Sequence, residues 1–113
     1  MNVISITGNL GRNPELRYIP SGKAVCSVSV ANTTGWGDKK NTTWFKADCW
    51  GKHAEFVNEY GMKGRKVAVT GEMVCRKVDD QFYWKIENAR VEFLDRKPDD
   101  DAKNLEDAEE IPF

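Results

Sequence analysis

Apolar and polar residues alternate with a period of two through most of the first 94 positions, as is typical of half-buried β-strands. The alternation predicts long strands at residues 24–31, 42–50, 65–78 and 81–94, with an opening strand at 3–7 and a short extended segment at 16–19. Gly71 interrupts one long strand as a predicted bulge, and Asp79-Asp80 is the predicted turn of a hairpin.

One stretch, residues 52–60, has a helical period instead. Phe56, Val57 and Tyr60 share one side of it, and Gly61 follows its end. Five or six strands with a single short helix before the fourth long strand suit a small Greek-key barrel such as the OB-fold. We therefore predict an all-β domain, a five-stranded Greek-key barrel with one short helix.

The strand at residues 42–50 presents its larger side chains on an unexpected side. Its inward face is predicted to carry Thr43, Phe45, Ala47 and Cys49, and its outward face Trp44, Lys46, Asp48 and Trp50. Two exposed indoles need a partner, because most tryptophan surface prefers burial. Aromatic rings among cations suit stacked bases and a phosphate backbone. The strand alone leaves open the alternative that this face packs against a second sheet or a subunit.

The predicted polar loop at residues 32–41 holds a third tryptophan. Trp36 stands between Gly35 and Gly37, and lysines follow at 39 and 40. A residue flanked by glycines is not part of a regular packed face, so this ring is a candidate for stacking on a ligand. The alternative is that Trp36 folds back onto the domain.

The formal net charge of −1 conceals an uneven distribution. Residues 98–113 contain seven acidic side chains and one basic side chain, a net charge of −6, whereas residues 1–97 contain 16 basic and 11 acidic side chains, a net charge of +5. A basic body attracts polyanions, and an acidic tail can compete for the same surface. The alternative is an ordinary domain with a solubilising tail. Because residues 98–113 lack periodic apolar positions, we predict that they form a disordered tail.

Several function classes find no support in the residue pattern. The first glycine-rich bend lacks a Gly-Lys-Ser/Thr ending, and no nucleophile is placed beside a base, so we expect neither an enzyme nor a cofactor. The single histidine, His53, is interpreted as a surface residue. Three widely spaced cysteines favour buried reduced thiols over a disulfide or a metal site. No segment is typical of a signal peptide or a membrane span, which predicts a cytosolic protein.

Four groups of residues then carry a family resemblance. They are Gly8-Asn9-Leu10-Gly11 with Pro14-Glu15 and Arg17-Tyr18; Trp36-Gly37-Asp38-Lys39 with Thr43-Trp44 and Trp50-Gly51-Lys52; Lys63-Gly64 with Val69-Thr70-Gly71-Glu72; and Glu109-Glu110-Ile111-Pro112-Phe113. In this order they resemble the bacterial-type single-stranded DNA-binding proteins, over residues 1–97 and the last several positions.

The resemblance implies an OB-fold domain at residues 1–97 that assembles as a homotetramer. It also implies sequence-independent binding and protection of single-stranded DNA during replication, recombination and repair, in the cytoplasm at the nucleoid. Family stacking positions match Trp36, Trp44 and Trp50, and a fourth family aromatic falls at Val78, where Tyr83 or Trp84 would substitute. With the family's lysine positions, the predicted DNA-binding residues are Trp36, Lys39, Trp44, Lys46, Trp50, Lys52, Lys63, Lys77, Tyr83 and Trp84.

The acidic tail at residues 98–113 ends in an apolar tip. The predicted partner-binding residues are Asp107, Glu109, Glu110, Ile111, Pro112 and Phe113. A terminal aromatic ring with its carboxylate, stiffened by a proline, suits capture by a small apolar pocket with a basic rim. The resemblance implies that such partners are replication, recombination and repair proteins. The family's long linker is missing, and only about 15 residues would separate the barrel from the tip.

Overall fold

The computed structural model describes residues 1–95. Its elements are β1 (Ile4–Leu10), β2 (Glu15–Tyr18), β3 (Ala24–Thr34), β4 (Asn41–Trp50), α1 (Gly51–Tyr60), β5 (Lys66–Val78) and β6 (Gln81–Phe93), with a short 3₁₀ turn at Gly37–Lys39. The predicted acidic tail and its tip lie outside the described residues, so the domain boundary at residue 97 stays a prediction.

The strands close into a barrel. The antiparallel pairs β1–β5, β5–β6 and β3–β4 are joined by a parallel contact of β4 with β6, and β3 returns to β1 at Leu10 and Val30. Strand β2 lies beside β3 where β1 has ended, and α1 connects β4 to β5. The OB-fold prediction, a Greek-key barrel with one short helix, is confirmed.

Branched aliphatic side chains from alternating positions fill the barrel. Fully buried residues include Val30, Val67, Val69, Ile86 and Val91. On β4 the predicted inward face is confirmed for Ala47 and Cys49, while Phe45 is half-buried. Thr43 is exposed, contrary to the prediction, because the β3–β4 hairpin has left the barrel at that point and no opposite wall covers it.

The predicted turns and irregularities are largely present. The β5–β6 register shifts between Thr70 and Glu72, so the bulge at Gly71 is confirmed. Asp79 and Asp80 have φ values of 50° and 64°, as a two-residue type I′ hairpin turn requires. The loop predicted at residues 32–41 is shorter than expected, since β3 continues to Thr34 and β4 begins at Asn41.

His53 has a structural contact that its position in the sequence does not reveal. Its half-buried imidazole Nε2 accepts a hydrogen bond from the Val91 backbone N–H at 2.9 Å, which ties α1 to β6. Burial first, and then the charge of Arg90, lower the pKa of His53 below its usual value. His53 is therefore only in part the surface residue that was expected, because its ring also holds α1 against β6.

The cysteines are free thiols. Cys26 and Cys49 are buried and face each other across β3 and β4. Burial and the Asp48 charge raise the pKa of Cys26 to about 11, and burial, Cys26 and Asp48 raise that of Cys49 to about 12. Two buried reduced thiols agree with the sequence prediction, whereas Cys75 is only half-buried. Among residues 1–95, no helix has the length and apolar character needed to cross a membrane.

Candidate nucleic-acid interface

The outward side of β4 forms the floor of an open face. Its residues lie opposite small or aliphatic residues of β3, in the pairs Trp44–Ala31, Lys46–Ser29, Asp48–Ser27 and Trp50–Val25. Because Ala31 and the two serines are short, they do not cover the indole of Trp44 or the ammonium of Lys46. Both side chains are exposed.

Trp44 has an open ring whose position is restricted by Gly11. The side chain is 62% exposed, yet a Cβ placed on Gly11 would overlap Cζ3 of the indole. Gly11 therefore permits a close approach of the ring to the backbone. Such a contact orders the ring before any ligand arrives, which lowers the entropic cost of stacking.

A cleft opens between β4 and β6. These parallel strands pair only at Ala47 and Ile86, and the segments that precede this contact on both strands diverge. The space between them has a volume of about 550 Å³. Its walls carry the aromatic residues Trp44, Phe45, Phe82, Tyr83 and Trp84 and the cations Arg12, Lys46, Arg76 and Lys85. We call this the aromatic cleft.

The tip of the β5–β6 hairpin carries exposed rings on both of its faces. Tyr83 lies opposite Arg76, while Phe82 and Trp84 lie on the other face. The Tyr83 hydroxyl donates to Gln81 Oε1 at 2.8 Å, and Lys77 Nζ lies 5.8 Å from the centre of the Phe82 ring. The hairpin thus presents aromatic surface beyond the barrel, while Arg76 and Lys77 are already in ion pairs with carboxylates.

Two smaller grooves continue the open face past the aromatic cleft. The cationic groove, of about 190 Å³, is lined by Arg12, Glu15, Arg17, Ser27, Val28, Ser29, Lys46, Asp48 and Lys85. The Trp50 groove is lined by Ile19, Lys23, Asp48, Trp50, Arg76, Glu87 and Asn88. Trp50 is half-buried, and Lys23 Nζ lies 5.4 Å from the centre of its ring. Rings and cations therefore alternate along this side of the barrel.

Trp36 stands apart on the loop between β3 and β4. It is 84% exposed, so the ring does not pack back onto the domain. Gly35 has a φ of +79°, and a Cβ there would overlap the carbonyl oxygen of Lys39, so the turn before the ring depends on glycine. The ring is available to a ligand, and its stacking role stays a prediction.

The structure brings some of the predicted DNA-binding residues together and separates others. Trp44, Lys46, Tyr83 and Trp84 all line the aromatic cleft, and Trp50 lines the adjoining groove. The remaining predicted residues, Trp36, Lys39, Lys52, Lys63 and Lys77, are exposed but line none of the three grooves. Lys52 lies in the first turn of α1, and Lys63 follows the helix, where its backbone N–H donates to Asn13 Oδ1. The partner-binding residues predicted at 107–113 lie outside the described chain.

Sequence reasoning missed several residues of this face: Arg12, Arg17, Lys23, Arg76, Phe82 and Lys85. Two of them were accessible from the pattern. Lys85 alternates with Tyr83, and a two-residue turn at Asp79-Asp80 sets Arg76 opposite Tyr83. Arg12 and Lys23 lie in connections without periodicity, and no signal in the sequence places them on this side.

Comparisons with known proteins agree with this geometry. A model of the single-strand binding protein family matches residues 1–93. A solved structure of a Plasmodium falciparum SSB in complex with ssDNA is similar, with a TM-score of 0.75 and 26% sequence identity over 84% of this chain and 96% of that chain. Since the family model covers nearly all of the described residues, the chain belongs to the single-strand binding protein family.

Proposed function

We propose that this protein binds single-stranded DNA, without sequence preference, along the face formed by the aromatic cleft, the cationic groove and the Trp50 groove. The observation that carries the proposal is the aromatic cleft itself, where exposed rings from β4 and β6 stand beside cations that include Arg12 and Lys46. Family membership and the ssDNA complex of the Plasmodium falciparum SSB support it.

Stacking accounts for the absence of base selection. Each base stacked on an aromatic ring contributes about 1–3 kcal/mol, and every base offers such a surface. Duplex DNA keeps its bases stacked internally, which disfavours it without any reading of base edges. The chain needs no catalytic group for this task, so we propose a binding protein and not an enzyme.

Phosphate contacts supply the second part of the affinity. Arg12 and Lys46 line both the aromatic cleft and the cationic groove, and Lys23 lies beside the Trp50 ring. A strand that stacks on Trp44 and continues toward Trp50 would pass these cations. Contacts of this kind release condensed counterions, so affinity falls as salt concentration rises.

The β5–β6 hairpin supplies other aromatic side chains near Val78, the position where the family has an aromatic residue. Val78 is exposed and offers no ring, but Tyr83 and Trp84 line the same cleft. Phe82, the residue before them in β6, lines it as well. We propose that these side chains provide the stacking surface at this end of the face, and that Trp36 and Lys39 extend the face beyond it.

The cellular role rests on family membership. We propose that the protein protects single strands during replication, recombination and repair, as a homotetramer in the cytoplasm at the nucleoid. A mass measurement in solution tests the tetramer.

For residues 109–113 we propose recruitment of partner proteins by an apolar tip among carboxylates. Deletion of 110–113 should abolish capture of a replication or repair partner without weakening DNA binding, and unchanged capture would contradict this role.

A titration with homopolymers tests the binding function directly. Poly(dT) should quench the tryptophan fluorescence of the full chain, and the logarithm of the binding constant should decline linearly with the logarithm of the salt concentration. Poly(U) is the comparison ligand. Equal or tighter binding of poly(U) would indicate an RNA-binding module, and quenching by neither polymer would indicate a protein-interaction module.

A further inference from the structure

Asp48 is a buried carboxylate in the middle of the cationic face. It lies on the outward side of β4, as predicted, but is only 6% exposed. Other side chains cover it from both sides: Ser27 Oγ donates to Asp48 Oδ1 at 2.8 Å, and Lys85 Nζ donates to Asp48 Oδ2 at 3.0 Å.

This network extends over four strands. Arg17 Nη1 donates to Ser27 Oγ at 3.2 Å, so a chain of two hydrogen bonds connects Arg17 of β2 with Asp48 through the serine of β3. Both carboxylate oxygens are occupied, and Asp48 borders the cationic groove and the Trp50 groove alike. An ion pair is therefore fixed where the two grooves meet, and only its carboxylate borders the Trp50 groove.

We propose that Asp48 determines the specificity of this face by excluding polyanions that carry no bases. The inference rests on the proposed function, since it assumes that base stacking supplies affinity on the same face. Asp48 neutralises Lys85 and holds it at one position, while the rings of the aromatic cleft keep their full stacking surface.

The physical argument concerns how much each ligand gains from charge. A buried carboxylate without a partner is strongly unfavourable, so Lys85 is held by Asp48 and offers little to a phosphate. On the side of the Trp50 groove, which Lys85 does not line, the carboxylate also repels an anion. Linear polyphosphate carries a charge on every unit of an unbroken phosphate chain, whereas in a single strand a sugar separates successive phosphates and stacking supplies part of the affinity. The base-free polyanion therefore brings more negative charge to the junction of the grooves. Asp48 therefore lowers the affinity of the competitor more than that of DNA, which is selection by repulsion.

The alternative hypothesis is that Asp48 has a purely structural role, and it predicts a different result. Only the Ala47–Ile86 contact pairs β4 with β6, and the Asp48–Lys85 ion pair is a second connection between these strands. If the ion pair served only to join the strands, loss of the carboxylate would loosen the cleft and weaken binding of both ligands together.

The test compares oligo(dT) with linear polyphosphate on the full-length chain. The variants are Asp48→Asn and the control Glu55→Gln, which removes one negative charge from α1 and lines none of the three grooves. We expect Asp48→Asn to raise polyphosphate affinity several-fold and oligo(dT) affinity by a clearly smaller factor. In the variant, Lys85 becomes free to contact phosphate. The slope of log K against log salt for oligo(dT) should therefore steepen by about 0.7.

The remaining outcomes decide between the hypotheses. An unchanged ratio of the two affinities, a parallel loss for both ligands, or the same shift in Glu55→Gln would overturn the proposal. Circular dichroism establishes folding, and Asp48→Ser is a second variant that removes the charge with a smaller hydrogen-bonding side chain. If the parent chain binds polyphosphate but not oligo(dT), the proposed function fails as well, whereas a failure confined to the variants leaves DNA binding intact.

Discussion

The two halves of β6 use apolar residues for different purposes. From Ile86 onward the strand lies in the barrel wall, and Ile86 and Val91 are fully buried. Before Ile86 the same strand carries Phe82, Tyr83 and Trp84, all exposed, on a hairpin that has left the barrel. The backbone pairing with β5 continues through both halves. Large apolar side chains in a regular strand therefore contribute to stability only where an opposite wall covers them, and elsewhere they remain available to a ligand.

The largest expected effect lies in the barrel half of β6. Ile86→Ala removes a fully buried side chain that closes the core at the β4–β6 contact. Truncation of a buried isoleucine costs about 2–5 kcal/mol, because the cavity collapses only in part. Urea denaturation should show this loss in the free energy of unfolding. A cost below about 1 kcal/mol would mean that the core half of the strand is no better packed than the hairpin.

The hairpin half should respond in the opposite manner. Tyr83→Ala removes an exposed ring of the aromatic cleft, so oligo(dT) binding should weaken by about 1–3 kcal/mol, roughly five- to 150-fold in Kd. The free energy of unfolding should change little, since the ring is exposed. Fluorescence anisotropy of labelled oligo(dT) measures the first quantity and urea denaturation the second.

Val78→Ala is the matched control for Tyr83→Ala. Val78 lies on the same hairpin and lines the same cleft but has no ring to stack on a base. Its truncation should leave the Kd for oligo(dT) within a factor of about two, as expected for an exposed side chain outside a stacking contact. Equal losses for both variants would show that the hairpin acts through its shape and not through its rings.

A smaller effect is expected where the barrel and the open face meet at Gly11. Gly11→Ala introduces a Cβ that overlaps the far edge of the Trp44 indole, and the ring can move away at little cost in stability. Binding of oligo(dT) should weaken, but by less than in Trp44→Ala, because a displaced ring still offers surface. In a double-mutant cycle, Gly11→Ala should add nothing once Trp44 is already alanine. Additive losses would show that Gly11 acts independently of the indole.

Periodicity predicted most of the fold, because the side chains of a strand alternate whatever their partners are. It placed Ala47 and Cys49 inside and Trp44 and Lys46 outside, and the Asp79-Asp80 turn predicted the hairpin. It failed at Thr43, because alternation does not reveal where a strand leaves the barrel.

Two further residues of the molecule depend on distant contacts. Asp48 is buried by Lys85, which is 37 positions later and reaches it only because β4 and β6 meet in the barrel. His53 accepts its hydrogen bond from Val91, 38 positions later. Sequence periodicity concerns residues within one strand or helix, so it does not predict side-chain contacts between elements that are distant in the chain.

The smallest expected effect is a pH dependence of the free energy of unfolding, which arises where α1 contacts the barrel half of β6. Burial and Arg90 lower the pKa of His53, so the unfolded chain takes up a proton near its usual value of about 6.5 while the folded chain resists it. The stability contributed by neutral His53 is therefore complete above pH 6.5 and is lost as the pH falls from there through the lower pKa of the folded state. Protonation also removes the acceptor for the Val91 N–H. Urea denaturation between pH 5 and 8 measures the decline, and His53→Gln, whose amide oxygen can accept the same hydrogen bond without titrating, should flatten it. If the free energy of unfolding of His53→Gln falls with the same slope, other groups cause the pH dependence, and protonation of His53 does not weaken the α1–β6 contact.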